Sequence, residues 1–193
     1  MLAAVVITGV ICIFLGCGMP TVGAYIVVAL MAAPVLHGMG LSQLQAHMYV
    51  FYWAILAGLT PPIAVAVIAG ASIAGSKYLP TCIEAVRIGF AIFLVPFLFI
   101  YNPILLSEWS GQPPLSIITT VFASVLGIVP LAAASIGTYV IKLNPLERVA
   151  LCLSGIGIWG YVISPNYLFL AAGIGIFIVV TLYQLKKGKI IWS

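Results

Sequence analysis

Apolar segments recur along the whole length of this chain, and few charges separate them. Only 5% of the 193 residues are charged and 64% are hydrophobic, whereas an ordinary soluble domain carries roughly 25% charged residues. So few charges cannot cover the surface of a globular fold in water. The sequence therefore predicts an all-α integral membrane protein with several membrane-embedded helices.

Six membrane-embedded pieces can be drawn along the chain. They cover residues 2–15, 24–36, 47–74, 84–101, 115–139 and 149–183, with breaks inside the third and the last. Residues 2–15 and 24–36 are each shorter than the roughly 20 residues that a spanning helix needs. The segment between them, "GCGMPTVG", is rich in glycine and contains a proline. We expect a re-entrant helical hairpin, and the alternative is one long helix that the proline kinks without reversing.

The cationic side chains predict the topology. They cluster around Lys77, around Lys142 with Arg148, and in the tail at Lys186, Lys187 and Lys189. All three clusters fall on one side of the membrane if residues 84–101 and 115–139 each cross once, as the positive-inside rule requires. The hairpin then opens to the outside and the C-terminus is cytoplasmic. Because the charges are dispersed, a nucleic-acid partner is not expected.

Two breaks interrupt the apolar pieces, and both carry polar groups. In "GCGMPTVG", Thr21 follows Pro20; in "AGLTPPIA" (57–64), Thr60 precedes Pro61. Irregular backbone persists within a membrane only where it is buried in protein or lines a cavity. The breaks therefore predict a buried polar site or a cavity.

The second break also predicts free backbone acceptors. Pro61 and Pro62 lack amide hydrogens, so we expect the carbonyls near Ala57 and Gly58 to lose their helical partners. Carbonyls at a helix C-terminus can hold a small cation, and amides at an N-terminus can hold an anion. Secondary transporters build their sites in this way. The alternative is that both breaks serve only helix packing, since glycine and proline are frequent in membrane helices.

Three stretches carry a family resemblance: "FLGCGMPTVGAYIVVALMAAPVL", "AHMYVFYWAILAGLTPPIAVAVIAGASIAGS" and "AVRIGFAIFLVPFLFIYNPILL". Together they resemble the C-terminal part of the large membrane subunit of tripartite ATP-independent periplasmic (TRAP) transporters, in the fused-permease branch. The resemblance covers about residues 1–106 and weakens toward Ser193. It implies that residues 1–36 form the second re-entrant hairpin of an inverted-repeat, elevator-type transporter. The partner discontinuous helix would be residues 47–74.

The same resemblance implies a function in the prokaryotic cytoplasmic (inner) membrane. The family imports organic acids with a Na⁺ gradient and receives substrate from an extracytoplasmic solute-binding protein. We therefore expect a small carboxylate substrate, a solute-binding protein as partner, and no cofactor other than Na⁺ as the coupling ion. The expected substrate- and ion-binding residues are Gly16, Gly18, Met19, Pro20, Thr21, Gly58, Leu59, Thr60, Pro61 and Pro62. Na⁺ would lie near Gly18, Thr21, Gly58 and Thr60. We also expect a missing N-terminal part of the permease as a partner, because the resemblance implies a first hairpin before residue 1.

Two further residues are weaker candidates. His47 could contact substrate or lie at the membrane interface; Arg87 could face a cavity or pair locally with Glu84. No catalytic motif is present in the sequence, and aspartate is absent, so an enzyme is not expected. We divide the chain into residues 1–36 (hairpin), 37–106 (discontinuous helix and following helix of the transport core) and 107–193 (additional helices and basic tail). The alternative function is a non-transporting membrane remnant or scaffold subunit that binds a partner protein.

Overall fold

The computed structural model describes residues 2–192, and side chains over residues 2–188. This part of the chain forms nine α-helices and two short 3-10 segments. The helices are α1 (Leu2–Gly16), α2 (Thr21–Gly38), α3 (Gln43–Leu56), α4 (Val65–Ala74), α5 (Tyr78–Ile88), α6 (Val95–Tyr101), α7 (Pro114–Ile136), α8 (Pro145–Ile163) and α9 (Tyr167–Trp192). The all-α prediction is confirmed. Lys189, one of the tail lysines used for the predicted topology, has its side chain outside the described residues.

Several of these helices have membrane-spanning length. Within the described residues, four are long and apolar enough to cross a bilayer, namely α2, α7, α8 and α9. A fifth span results if α5 and the bent segment Phe90–Tyr101 are taken together. The chain is therefore a multi-pass membrane protein, as predicted. At 18 residues α2 is longer than the short arm that the sequence suggested.

The chain divides into two compact units. The N-terminal unit comprises residues 1–89 and 93–100, and the C-terminal unit comprises residues 90–92 and 101–193. The predicted boundaries after residues 36 and 106 stay predictions.

In the N-terminal unit, α1 and α3 run in the same direction. The Tyr49 hydroxyl on α3 donates a hydrogen bond to the Val5 carbonyl near the start of α1, at 2.7 Å. At the other end of α1, Gly16 lies against Ala57, which follows α3. Gly9, between these two positions on α1, lies against Tyr49 and Trp53. Because the contacts advance along both helices in the same order, the two helices are parallel.

The direction of α2 is opposite. Tyr25 in the second turn of α2 contacts the ring of Phe51 in the second half of α3, whereas His37 at the end of α2 shares a groove with Gln43 at the start of α3. Since α1 is parallel and α2 antiparallel to α3, the chain reverses between α1 and α2. The predicted hairpin is therefore present, and the single kinked helix over residues 2–36 was the wrong alternative. Its placement in the membrane stays a prediction.

The fourth piece differs from our expectation. A helix begins at Tyr78 rather than at residue 84, so the α4–α5 connection is only residues 75–77. Pro80 lies in the first turn of α5, where a missing amide hydrogen costs no helical bond. After Gly89 the chain passes through the 3-10 segment Phe90–Leu94 into α6. Helix α5 and the segment Phe90–Tyr101 are bent by 61° relative to each other. Pro96 cannot donate to the carbonyl four residues earlier, which accounts for the tighter turn before it.

In the C-terminal unit, α7, α8 and α9 pack through small residues. Gly127 on α7 lies directly beneath the indole of Trp159 on α8. Gly173 on α9 lies against the α8 backbone, and its carbonyl accepts a 2.7 Å hydrogen bond from the Ser154 hydroxyl. Such close approach needs residues without bulky side chains.

The start of α8 also differs from our expectation of a loop through residue 148. Pro145 occupies the first helical turn, and Asn144 and Glu147 form a capping box that satisfies amides at this end. Glu147 is buried, and its carboxylate also accepts a 2.6 Å bond from the Gln184 amide. Lys187 lies 3.5 Å from the same carboxylate. Glu147 and Lys187, which both lie outside the six predicted membrane-embedded pieces, therefore hold α8 and α9 together.

Candidate functional site

The hairpin tip joins α1 to α2 through residues 17–20. Gly18 has a φ of +77°, a conformation that favours glycine. The N-terminus of α2 has no side-chain cap, so the amides of Thr21, Val22 and Gly23 lack the partners that a capping residue would supply. The tip therefore presents an uncapped helix N-terminus next to a glycine-rich turn.

The second break lies between α3 and α4. The Pro61–Pro62 bond is cis, and Ala64 has a φ of 40° immediately before α4 begins. The Thr60 hydroxyl donates to the Leu56 carbonyl at 2.7 Å, so its oxygen keeps lone pairs as an acceptor.

One part of our expectation about this break was wrong. The carbonyls of Ala57 and Gly58 are not free: the Thr60 amide donates to the first at 3.4 Å, and the Ala66 amide donates to the second at 3.1 Å. The chain compensates for the missing proline amides with a tighter turn and with one bond that crosses the break.

Free acceptors lie instead on the residues that follow. No backbone amide within residues 2–192 donates to the carbonyls of Leu59, Thr60 and Pro61. In the hairpin tip, the carbonyls of residues 17–19 likewise accept no bond from a described backbone amide. Each break therefore offers a short row of carbonyl oxygens.

The structure brings the two breaks into contact. A Cβ atom added to Gly16 would lie 2.9 Å from Ala57 Cβ, and one added to Gly18 would lie 2.8 Å from Ile63 Cδ1. The predicted site residues, at positions 16, 18–21 and 58–62, thus belong to adjoining segments of one unit. This juxtaposition places the helix ends and carbonyls of the two breaks in one region.

The weaker candidates lie elsewhere. His47 Nδ1 is 3.0 Å from the Tyr25 hydroxyl, and both residues line a groove of about 590 Å³ between α2 and α3. Arg87 is 3.4 Å from Glu84, and both side chains are about half exposed, at 43% and 52%. The local ion pair with Glu84 is therefore present, and such a pair contributes little to stability.

Two side chains that the sequence did not single out bond to backbone carbonyls of the same unit. The Tyr78 hydroxyl donates to the Pro62 carbonyl at 2.8 Å. The buried Gln45 amide donates to the carbonyls of Phe99 and Ile100, each at 3.0 Å. Tyr78 carries no motif, and Gln45 belongs to a capping box with Ser42 that marks the start of α3 but not its bonds to Phe99 and Ile100. Only the fold therefore reveals these contacts.

The chain matches the sequence profile of a known protein family. That profile, described as "Tripartite ATP-independent periplasmic transporter, DctM component", matches residues 1–109. No curated protein and no solved structure matches the chain. The matched region is more than half of the chain and contains both breaks. DctM components are transporter subunits rather than enzymes, and they work with periplasmic solute-binding and other subunits. The chain therefore belongs to the DctM family of TRAP transporter permease components.

Proposed function

We propose that this chain is the second-repeat, C-terminal part of a DctM subunit that imports small carboxylates together with Na⁺. The observation that carries the proposal is the contact between the hairpin tip and the α3–α4 break. Inverted-repeat transporters place substrate and coupling ion where discontinuous helices meet. Residues 16–21 and 58–62 are accordingly the proposed binding segments.

The carbonyl rows of the two breaks suit a small hard cation. Such cations take oxygen ligands, and Leu59, Thr60 and Pro61 offer carbonyls that no described backbone amide occupies. The C-terminal ends of α1 and α3 lie beside these rows, and the helix dipole makes both ends partially negative. The Thr60 hydroxyl oxygen adds a further acceptor. Since these groups are neutral, they favour Na⁺ over a proton as the coupling ion, because proton relays usually need ionisable side chains.

The uncapped N-terminus of α2 suits the carboxylate. Its first-turn amides and the positive end of the helix dipole attract an anion. The few charges of the chain make this route to anion binding more important than a direct ion pair. Thr21 is exposed at this end, so its hydroxyl is available to the substrate.

The membrane orientation follows from the basic residues. We place the Lys77 turn, the segment with Lys142 and Arg148, and the tail lysines in the cytoplasm. The hairpin then opens toward the outer side, where a solute-binding protein delivers substrate.

The test is uptake by proteoliposomes that contain the complete TRAP system to which this chain belongs. Wild-type uptake is measured in Na⁺ and in K⁺ buffer over a panel of organic acids. Thr60→Val removes the hydroxyl but keeps the side-chain shape. Thr8→Val is the matched control, because Thr8 makes a similar 2.8 Å bond to the carbonyl four residues earlier, in α1.

We expect Na⁺-dependent uptake that Thr60→Val reduces about tenfold or more, as befits one lost ligand to a cation, whereas Thr8→Val retains it. Equal uptake in Na⁺ buffer and in K⁺ buffer would contradict the proposal that Na⁺ is the coupling ion. Unchanged uptake by Thr60→Val would contradict the placement of the site.

A further inference from the structure

Tyr78 connects α5 to the α3–α4 break. Its hydroxyl donates to the Pro62 carbonyl at 2.8 Å, across 16 residues of sequence. Its ring packs on the cluster formed by Ala64, Val67 and Cys82. The contact therefore joins the start of one helix to the irregular segment that precedes another.

The start of α5 holds this tyrosine firmly. Only residues 75–77 separate α4 from α5, and the Thr81 hydroxyl donates to the Lys77 carbonyl at 2.8 Å. The hydroxyls of Ser76 and Thr81 are also 2.9 Å apart. These short-range bonds define the turn from which the Tyr78 side chain reaches the break.

The Pro62 carbonyl differs from those immediately before it. Within residues 2–192, the carbonyls of Leu59, Thr60 and Pro61 accept no bond from a backbone amide, whereas that of Pro62 accepts the phenol of Tyr78. The bond fixes the orientation of the peptide after Pro62, directly beside the three remaining acceptors. A cation site made of carbonyls depends on how many oxygens face the ion and on how rigidly they are held.

We propose that Tyr78 is a positioning residue that sets the cation affinity of the α3–α4 break through the Pro62 carbonyl. The inference rests on the proposed Na⁺ site and adds to it a residue that contacts neither ion nor substrate. Without the phenol hydroxyl, the Pro62 carbonyl is free to rotate, and the neighbouring carbonyls lose their fixed direction. The ion must then order the break when it binds, which weakens binding.

The experiment measures thermal unfolding of the purified full-length chain in detergent as NaCl replaces KCl at constant ionic strength. A ligand that binds only the folded state stabilises it by RT ln(1 + L/Kd), where L is the free ligand concentration, so the unfolding midpoint rises with ligand concentration and a weaker site needs more ligand for the same rise. Tyr78→Phe removes the hydroxyl and keeps the ring. Tyr25→Phe is the matched control, because it removes a phenol bonded to His47 away from the break. Val67→Ala perturbs the apolar cluster on which the Tyr78 ring packs, and it removes no partner of the Tyr78 hydroxyl.

We expect Na⁺ to stabilise the wild type more than K⁺ does, and Tyr78→Phe to need about 2- to 10-fold more Na⁺ for the same stabilisation, the range for one net hydrogen bond. Tyr25→Phe and Val67→Ala keep the wild-type Na⁺ dependence, even if their midpoint in KCl is lower. If Na⁺ stabilises the wild type and Tyr78→Phe identically, the positioning role is overturned while the site survives. If either control shifts as far as Tyr78→Phe, the effect is general packing and the role is overturned. If Na⁺ and K⁺ act alike on the wild type, the Na⁺ site and this role are both overturned.

Discussion

Replacing Gly16 by alanine tests whether the two breaks are in contact. The added Cβ would lie 2.9 Å from Ala57 Cβ, whereas carbon atoms pack best at about 3.5–4.0 Å. Ala57 Cβ is attached directly to the backbone, so it cannot rotate away, and α1 must separate from α3. Overpacking of this kind costs about 1–3 kcal/mol.

Gly23→Ala is the matched control in the other arm of the hairpin. A Cβ at Gly23 meets no atom within 4 Å, so this change gains the helix preference of alanine, up to about 1 kcal/mol. The two substitutions add the same methyl group to the same hairpin. We therefore expect Gly16→Ala to lower the unfolding midpoint and Gly23→Ala to raise it relative to the wild type. The shift should be about 2–4 °C for each kcal/mol in a domain of this size.

The decisive variant is the double substitution Gly16→Ala with Ala57→Gly, which moves the methyl group from one side of the contact to the other. Ala57→Gly alone costs about 1 kcal/mol or more through backbone entropy and lost packing. In the double variant the clash is absent, so the two costs should not add, with a coupling of about 1–3 kcal/mol. Additive costs, or a Gly16→Ala variant as stable as Gly23→Ala, would refute the contact between the hairpin tip and the α3–α4 break.

Two predictions concern the C-terminal unit. Gly173→Ala should lower the stability measured by unfolding in detergent by about 1–3 kcal/mol, because its Cβ would lie 2.7 Å from the Ile158 amide nitrogen. The control Gly175→Ala should not lower it, because a Cβ there meets no atom within 4 Å. Equal stabilities of the two variants would show that α8 and α9 do not approach so closely. Glu147→Ala should cost about 1–3 kcal/mol, because it leaves the buried Gln184 amide without its carboxylate partner. Glu84→Ala, which breaks an exposed pair, should cost less than about 1 kcal/mol, and a comparable loss in both variants would contradict the burial of Glu147.

The membrane class and the positions of both breaks followed from the sequence because their causes are local. A segment that is almost entirely apolar can fold only within a bilayer or a core, and proline removes its own amide wherever it stands. The tripeptide with Thr60, Pro61 and Pro62 therefore had to interrupt a helix. Family membership also followed, since the motifs around the two breaks lie within the matched region.

Helix starts were less predictable, because charge was a poor guide to them. We began the fourth piece at Glu84 and ended a loop after Arg148, but α5 starts at Tyr78 and α8 at Pro145. Proline in a first turn and a capping box allow a helix to begin before its charged residues. The capping box is a local signal that a closer reading of "NPLE" could have used.

What only the tertiary structure decided is which polar groups remain available. Pattern and composition locate Pro61 and Pro62, but the partner of each carbonyl around them depends on how the chain folds back past the break. The Gly58 carbonyl accepts a bond from the Ala66 amide across the break, and the Pro62 carbonyl accepts one from the phenol of Tyr78. The Leu59 carbonyl accepts none from a described backbone amide. The meeting of the two breaks and the burial of Glu147 have the same origin, because contacts between distant residues depend on how helices pack and not on local backbone chemistry.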